Sequence, residues 1–235
     1  MTAVRQIPLP IGPLPAHSFE AFLPGANGAA LAHLRALAAS LPRAAASPAL
    51  PLYLWGAAGC GKTHLLQALG DAVQRRGHRV GWFDASTRLP WRFDEGWSLL
   101  LIDACERLDE ARQHAAFTLF IEAQAESLAL GAAGTLPPVD LPLREDLRTR
   151  LGWGHVFAIE PLGEPDIRAA LRREADRRGI LLGDEVMSYL LTRFSRDLKH
   201  LMALLDRLDE FALSQQRAIT VPLLKRLFDE EGATL

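Results

Sequence analysis

Apolar residues follow two regimes along the chain. Up to about residue 160, short apolar runs alternate with stretches in which apolar positions recur at helical spacing; beyond it only the helical spacing continues. The runs 52–55, 79–84, 98–103, 128–134 and 156–159 read as five buried strands. Between them, 31–41, the face Leu65, Leu66, Leu69 and Val73 stopped by Gly77, and 111–127 read as helices. After Pro161, the stretches 164–178, 184–194, 196–216 and 221–230 all read as helices. Alternation of strand and helix predicts an α/β fold with a parallel sheet, followed by a small all-α domain.

The first 15 residues alternate proline with aliphatics, which forbids a helix and favours an extended tail. Ser18 is expected to cap a short turn holding Phe19 and Phe22, and the proline-containing stretch 42–51 separates the first helix from the first strand. The expected organisation is a tail over 1–15, an α/β domain over 16–161 and a small helical domain over 162–235, without internal repeats.

The chain has 235 residues, 49% of them hydrophobic, enough to fill a sizeable core. Its 26 basic and 28 acidic side chains give a net charge of −2, so no overall field draws it to DNA or to an anionic membrane, and strong direct DNA binding is not expected. It shows neither a secretory leader nor an apolar span, so a cytoplasmic location is expected, with Cys60 and Cys105 reduced and buried.

The strongest chemical signal is Gly56-Ala57-Ala58-Gly59-Cys60-Gly61-Lys62-Thr63, set between a strand and an amphipathic helix. A triphosphate needs several backbone N–H groups converging on one concavity, and a glycine-rich turn feeding a helix N-terminus supplies them. Lys62 would reach the β- and γ-phosphates and the Thr63 hydroxyl would join a Mg2+ shell. Asp103, at the end of an apolar strand, would support that metal; its alternative role is a helix cap. Ala104 stands where hydrolytic P-loop proteins commonly carry a second carboxylate, and the spacing of Glu106 leaves its direction open, so intrinsic hydrolysis is expected to be poor.

Arg148 and Arg150 are placed in a loop between the fourth and fifth strands. They are either solvated charges or a source of an arginine finger for a neighbour's nucleotide. Arg196 either helps to cap a lid helix or reaches the bound phosphates.

Together these residues resemble the AAA+ ATPases of the DnaA initiator family: Walker A at 56–63, Walker B at 98–103, Arg150-Leu151-Gly152-Trp153-Gly154, and Arg196-Asp197-Leu198. The likeness runs from about Ser18 to the C-terminus. It implies ADP or ATP as ligand, held by residues 56–63 with His64 following. It also implies an adenine pocket lined by Phe19, Phe22 and Pro24, Arg196 as the sensor II arginine, and Arg150 as a finger acting in trans. Two departures shape the expectation. The chain ends at Leu235 just after the lid, without the initiator's DNA-binding domain, and the stretch Ala132-Ala133-Gly134-Thr135 lacks the polar residue with which the family's sensor I strand ends.

In the tail, Gln6-Ile7-Pro8-Leu9-Pro10-Ile11 resembles peptides that dock on the bacterial DNA polymerase sliding clamp. The resemblance thus implies a negative regulator of replication initiation. It would link the clamp to DnaA, promote hydrolysis of DnaA-bound ATP, and either act alone or self-associate. A helicase-loader-like ATPase and a small-molecule kinase are the alternatives; the charge and Ala104 disfavour the first, and the helical lid disfavours the second.

Overall fold

The computed structural model describes residues 17–41, 50–194, 198–215 and 219–230. The clamp-like peptide at 6–11 and Arg196 lie outside them. The elements run α1 (Gly28–Ser40), β1 (Leu52–Trp55), α2 (Lys62–Gln74), β2 (Arg79–Phe83), β3 (Trp97–Ile102), α3 (Glu110–Ala125), β4 (Ala129–Gly134), α4 (Glu145–Leu151) and β5 (His155–Ala158). Then follow α5 (Glu164–Arg177), α6 (Asp184–Arg193), α7 (Leu198–Gln215) and α8 (Val221–Glu230).

All strand pairings are parallel, in the order β2-β3-β4-β1-β5. Both faces of the sheet are covered, which is why its strands read as continuous apolar runs rather than as alternation. Leu52, Leu54, Leu99 and Leu101 pack with α1 and α2 on one face. Tyr53, Leu100 and Ile102 pack with α3 and α4 on the other. The period of two along a strand thus feeds two separate clusters.

The expected strands are present with ends shifted by about one residue, so Asp103 stands just beyond β3. The loop expected around Arg148 and Arg150 is a helix, α4. Only Leu147 and Leu151 of its 7 residues are buried, a single i,i+4 pair that gives the periodicity too little length to register. Between β2 and β3 the crossover, residues 84–96, carries no helix. Trp91 and Phe93 take its place, with Trp91 4.9 Å from the Phe83 ring and Phe93 5.8 Å from Trp97.

The four C-terminal helices enclose a third cluster of Ile167, Leu171, Met187, Leu190, Leu204 and Leu208. Arg178 ties α5 to α7 by pairing with both Glu174 and Asp206. The buried Asn27 joins the chain before α1 to the end of the sheet: its Nδ2 donates to the Glu160 carbonyl at 2.9 Å and its Oδ1 accepts the Glu160 N–H at 2.8 Å.

Candidate nucleotide site and the Arg150 edge

The loop 56–61 leaves β1 and turns into α2 at the carboxyl edge of the sheet, where open α/β sheets place ligands. Gly61 has φ +102°, and a Cβ there would come within 2.8 Å of the Phe22 ring, so the missing side chain lets that ring lie against the loop. Lys62 begins α2 and is buried; its Nζ donates to the carbonyls of Gly56 and Ala57, both at 2.8 Å, and lies 3.7 Å from Cys60 Sγ. The ammonium is therefore held inside the curve of the loop by acceptors that anionic oxygens can replace.

One residue on, the Thr63 hydroxyl donates to Asp103 Oδ2 at 2.7 Å. Burial pushes the Asp103 carboxyl above its usual range, against the opposing pull of hydrogen bonds from Thr63 and Ala104. A hydroxyl and a desolvated carboxylate are hard oxygen donors, and a dication beside them would offset the cost of keeping that carboxylate charged. These residues fit Mg2+: Thr63 and Asp103 would hold it, and the ion would neutralise phosphate charge.

β4 runs between β1 and β3, so its carboxyl end lies between the loop and Asp103. That end is bare at Gly134, and the reason is Tyr53: a Cβ at 134 would overlap the Tyr53 hydroxyl oxygen, which donates to the Leu136 carbonyl at 2.9 Å. Burial first, and then the nearby Cys105 and Glu106, raise the Tyr53 phenol far above its ordinary pKa, so it stays a neutral donor. Glu106 turns toward the same strand end, its Oε2 accepting the Thr135 N–H at 3.2 Å. Ala104 takes left-handed backbone (φ 50°, ψ 51°) and swings the chain from Asp103 into the short 3-10 turn that carries Glu106. Tyr53 is the participant that the sequence reading misses. Its only signal is one hydroxyl within an apolar strand.

The segment before α1 closes the other side of the loop. His64 Nε2 lies 3.0 Å from the Ser18 carbonyl, and its ring is 5.9 Å from Phe22 and 5.8 Å from His17. Phe19 is buried in the core with α1 and α2. Pro24, with Leu23 and Gly25, lines a cleft whose other wall is α5.

Arg150 lies on the opposite edge. Its Nη1 donates to Gln124 Oε1 at 2.9 Å, near the end of α3, and its guanidinium lies 5.1 Å from the Phe117 ring and 4.7 Å from Trp153. Shortly after it, the His155 N–H donates to the carbonyl of Pro51, the residue before β1. Arg150 thus sits where the strands begin and the loop sits where they end, separated by the height of a four-residue strand, about 13 Å.

Against known proteins, residues 14–89 match the family model of the bacterial DnaA ATPase domain, and residues 164–228 match that of the Hda lid domain. The two matched segments are thus similar to DnaA-type and Hda-type proteins, one in the sheet domain and one in the helical domain. Domain III of the Thermotoga maritima replication initiation protein DnaA superposes with a TM-score of 0.74 at 21% identity, over 93% of this chain and 98% of that one. AMPPCP-bound DnaA from Aquifex aeolicus gives 0.65 at 22% identity, over 81% of this chain and 65% of that one. A Thermotoga maritima RuvB mutant gives 0.67 at 16% identity, over 94% and 75%. At these identities the likeness is one of fold.

In this chain the structure brings Gly56, Gly59, Gly61, Lys62, Thr63, His64, Phe22 and Asp103 to one carboxyl-edge site. It keeps the Phe19 ring in the core and Arg150 at the far edge. The positions of Phe117 and Gln124 around Arg150 could not be read from sequence, because the contact joins two helices across a strand. Among the described residues no helix is long and apolar enough to cross a membrane.

Proposed function

We propose that this DnaA-related protein is a cytoplasmic, nucleotide-bound negative regulator of replication initiation. It binds ADP or ATP with Mg2+ at residues 56–63, with Phe22 and Pro24 beside the nucleoside. The sensor II-like Arg196 approaches the phosphates from the lid. Residues 6–11 dock on the DNA polymerase sliding clamp, and the AAA+ face meets ATP-bound DnaA. Arg150 then enters the nucleotide site of DnaA and stabilises charge developing on the transferred phosphate, converting the initiator to its ADP form.

The observation that carries this reading is the place of Arg150. A guanidinium held by three aromatic rings and Gln124, on the edge opposite its own phosphate loop, would act on a nucleotide held by another molecule. The shallow depression beside it, lined by Arg144, Glu145, Asp146, Thr149 and Trp153, offers a partner a concave, charged contact surface. The chain's own hydrolysis is slow on this reading: Ala104 offers no base, and Glu106 is engaged by the Thr135 N–H.

The test is to mix DnaA loaded with ATP, the sliding clamp on DNA, and this protein, and to follow phosphate release. Arg150→Ala is expected to abolish an acceleration that a trans arginine can raise to about 10³- to 10⁵-fold. Full acceleration by Arg150→Ala would remove the finger assignment. Loss of clamp capture on deleting residues 1–12 tests the docking peptide separately.

A further inference from the structure

The sheet has two edges, and the chain protects only one of them. At β2 the strand begins with the exposed Arg79, which pairs with Asp94 of the crossover, and the register with β3 shifts between Arg79 and Val80. A charge and an irregularity of this kind keep a further strand from adding to an edge. β5, at the other end of the strand order, has neither. His155-Val156-Phe157-Ala158 contains no proline, lysine, arginine or carboxylate, its pairing with β1 runs without a shift, and three of its four residues are exposed.

The direction of its backbone groups follows from the ladder. His155 and Ile159 donate their N–H groups to the carbonyls of Pro51 and Trp55, so the odd-numbered positions face β1. Val156 and Ala158 therefore turn both N–H and C=O away from the sheet, and among the described residues no strand lies beyond them. Two residues further on, the outward N–H and C=O of Glu160 are both met by the Asn27 side chain. The edge is thus satisfied at its end and open along 156–158.

Neutral side chains border the open stretch on both faces. On the α1 face the His33 ring lies 4.2 Å from His155 and 5.2 Å from Phe157. Ala29 and Ala36, one turn to either side of His33, are exposed on the same side of the helix, so nothing bulky or charged overhangs the strand there. On the α3–α4 face Val156 is 39% exposed.

We propose that β5 pairs with β5 of a second copy of this chain, antiparallel, about a two-fold axis through Val156 and normal to the sheet. The two five-stranded sheets then become one. In this register opposing residues share a face, so each face of one sheet continues into the same face of the other. Val156 meets its own copy as a hydrogen-bonded pair, and His155 stands opposite Phe157 across the axis, extending the ring contacts already made with His33. Ala158 faces Gly154, where no side chain stands in the way. The lack of charge points to a second copy rather than to a foreign strand: in a self-paired edge a charge on the axis meets its own kind, whereas a different protein could bring the opposite charge. A four-residue edge makes a small interface, so the association is weak and concentration-dependent. Shortness is itself a way of blunting an edge, and that role alone predicts a monomer at every concentration.

The test is analytical ultracentrifugation of the full chain from about 1 to about 200 µM, a range suited to a small interface, for wild type, Val156→Lys and Val156→Pro. Wild type is expected to shift from monomer toward dimer across it. Val156→Lys opposes two ammonium groups at the axis and should weaken association at least about tenfold. Val156→Pro removes an N–H that β1 does not use, so it should weaken association likewise while the circular dichroism spectrum stays that of wild type. Under mild oxidation Val156→Cys should form an intermolecular disulfide, its two Cα atoms lying about 5.5 Å apart, whereas His155→Cys, set two residues out of line with its own copy, should not. A wild type that stays monomeric to the highest concentration, or a dimer that survives Val156→Lys and Val156→Pro, overturns the proposal. Crosslinking through His155→Cys and not through Val156→Cys also overturns it, as does a dimer lost in Arg150→Ala and kept in both Val156 variants.

Discussion

The Arg150 guanidinium lies face-on within 4.7 Å of the Trp153 ring centre, three residues along the chain. Trp153 is half exposed, so this stacking contributes on the order of 0.5–1 kcal/mol and holds the arginine outward rather than burying it. Trp153→Ala is expected to leave the fold intact and to lower the acceleration of DnaA ATP hydrolysis several-fold, by letting the guanidinium wander. Arg150→Lys, which keeps the charge and loses the planar fork, should lose most of the acceleration. Phosphate-release assays at saturating protein separate both from a binding defect.

Lys62 donates its hydrogen bonds to loop carbonyls and Thr63 donates to Asp103, so each has a distinct loss. Lys62→Ala should weaken ATP binding about tenfold or more, with or without metal. Thr63→Val should chiefly remove the Mg2+ dependence of binding. Calorimetric titration with ATP in Mg2+ and in a chelator distinguishes the two patterns; identical behaviour of the variants would count against the division of roles.

Gly134→Ala forces a methyl group into the space of the Tyr53 hydroxyl and is expected to destabilise the protein by about 1–3 kcal/mol in urea denaturation. Tyr53→Phe alone costs about 1–2 kcal/mol, since the Leu136 carbonyl loses its donor. The double variant should be more stable than the sum of the two predicts, because removing the hydroxyl removes the clash. Strict additivity would show that the two groups do not meet.

His64 sets a pH dependence. Burial holds its imidazole below the ordinary value of 6.5, with His17 adding to the shift and the Ser18 carbonyl and Asp71 opposing it. The unfolded chain takes up a proton near that value and the folded chain only at lower pH, so stability is full above it and declines as the pH falls through the window beneath. Chemical denaturation between about pH 7.5 and about pH 5.5 should show this decline, and His64→Gln should flatten it.

The sheet, its helices and the phosphate loop were legible because each rests on local pattern: apolar runs, helical spacing, glycines ahead of a lysine. Strand order was not legible, since nothing local says that β4 inserts between β1 and β3. The relation of Gly134 to Tyr53 is of the same kind: two residues on neighbouring strands, far apart in the chain, share one volume. Arg150 is visible as a motif, but the helix that carries it, α4, is too short to announce itself in the sequence. Its aromatic surroundings come from α3, and sequence spacing carries no trace of that contact.

Asn27 grips the Glu160 backbone from both sides, N–H and carbonyl, and so immobilises the last link between sheet and lid. Any swing of the lid must therefore be taken up in Pro161, Leu162 and Gly163, immediately before α5. For such a swing those three residues would be the hinge and the 14-residue α5 its lever. At 1.5 Å per residue the lever is about 21 Å long, so a turn of roughly 10° at the hinge moves its far end by about 4 Å. A contact made anywhere along α5 would therefore be felt as a shift of about 4 Å at its far end.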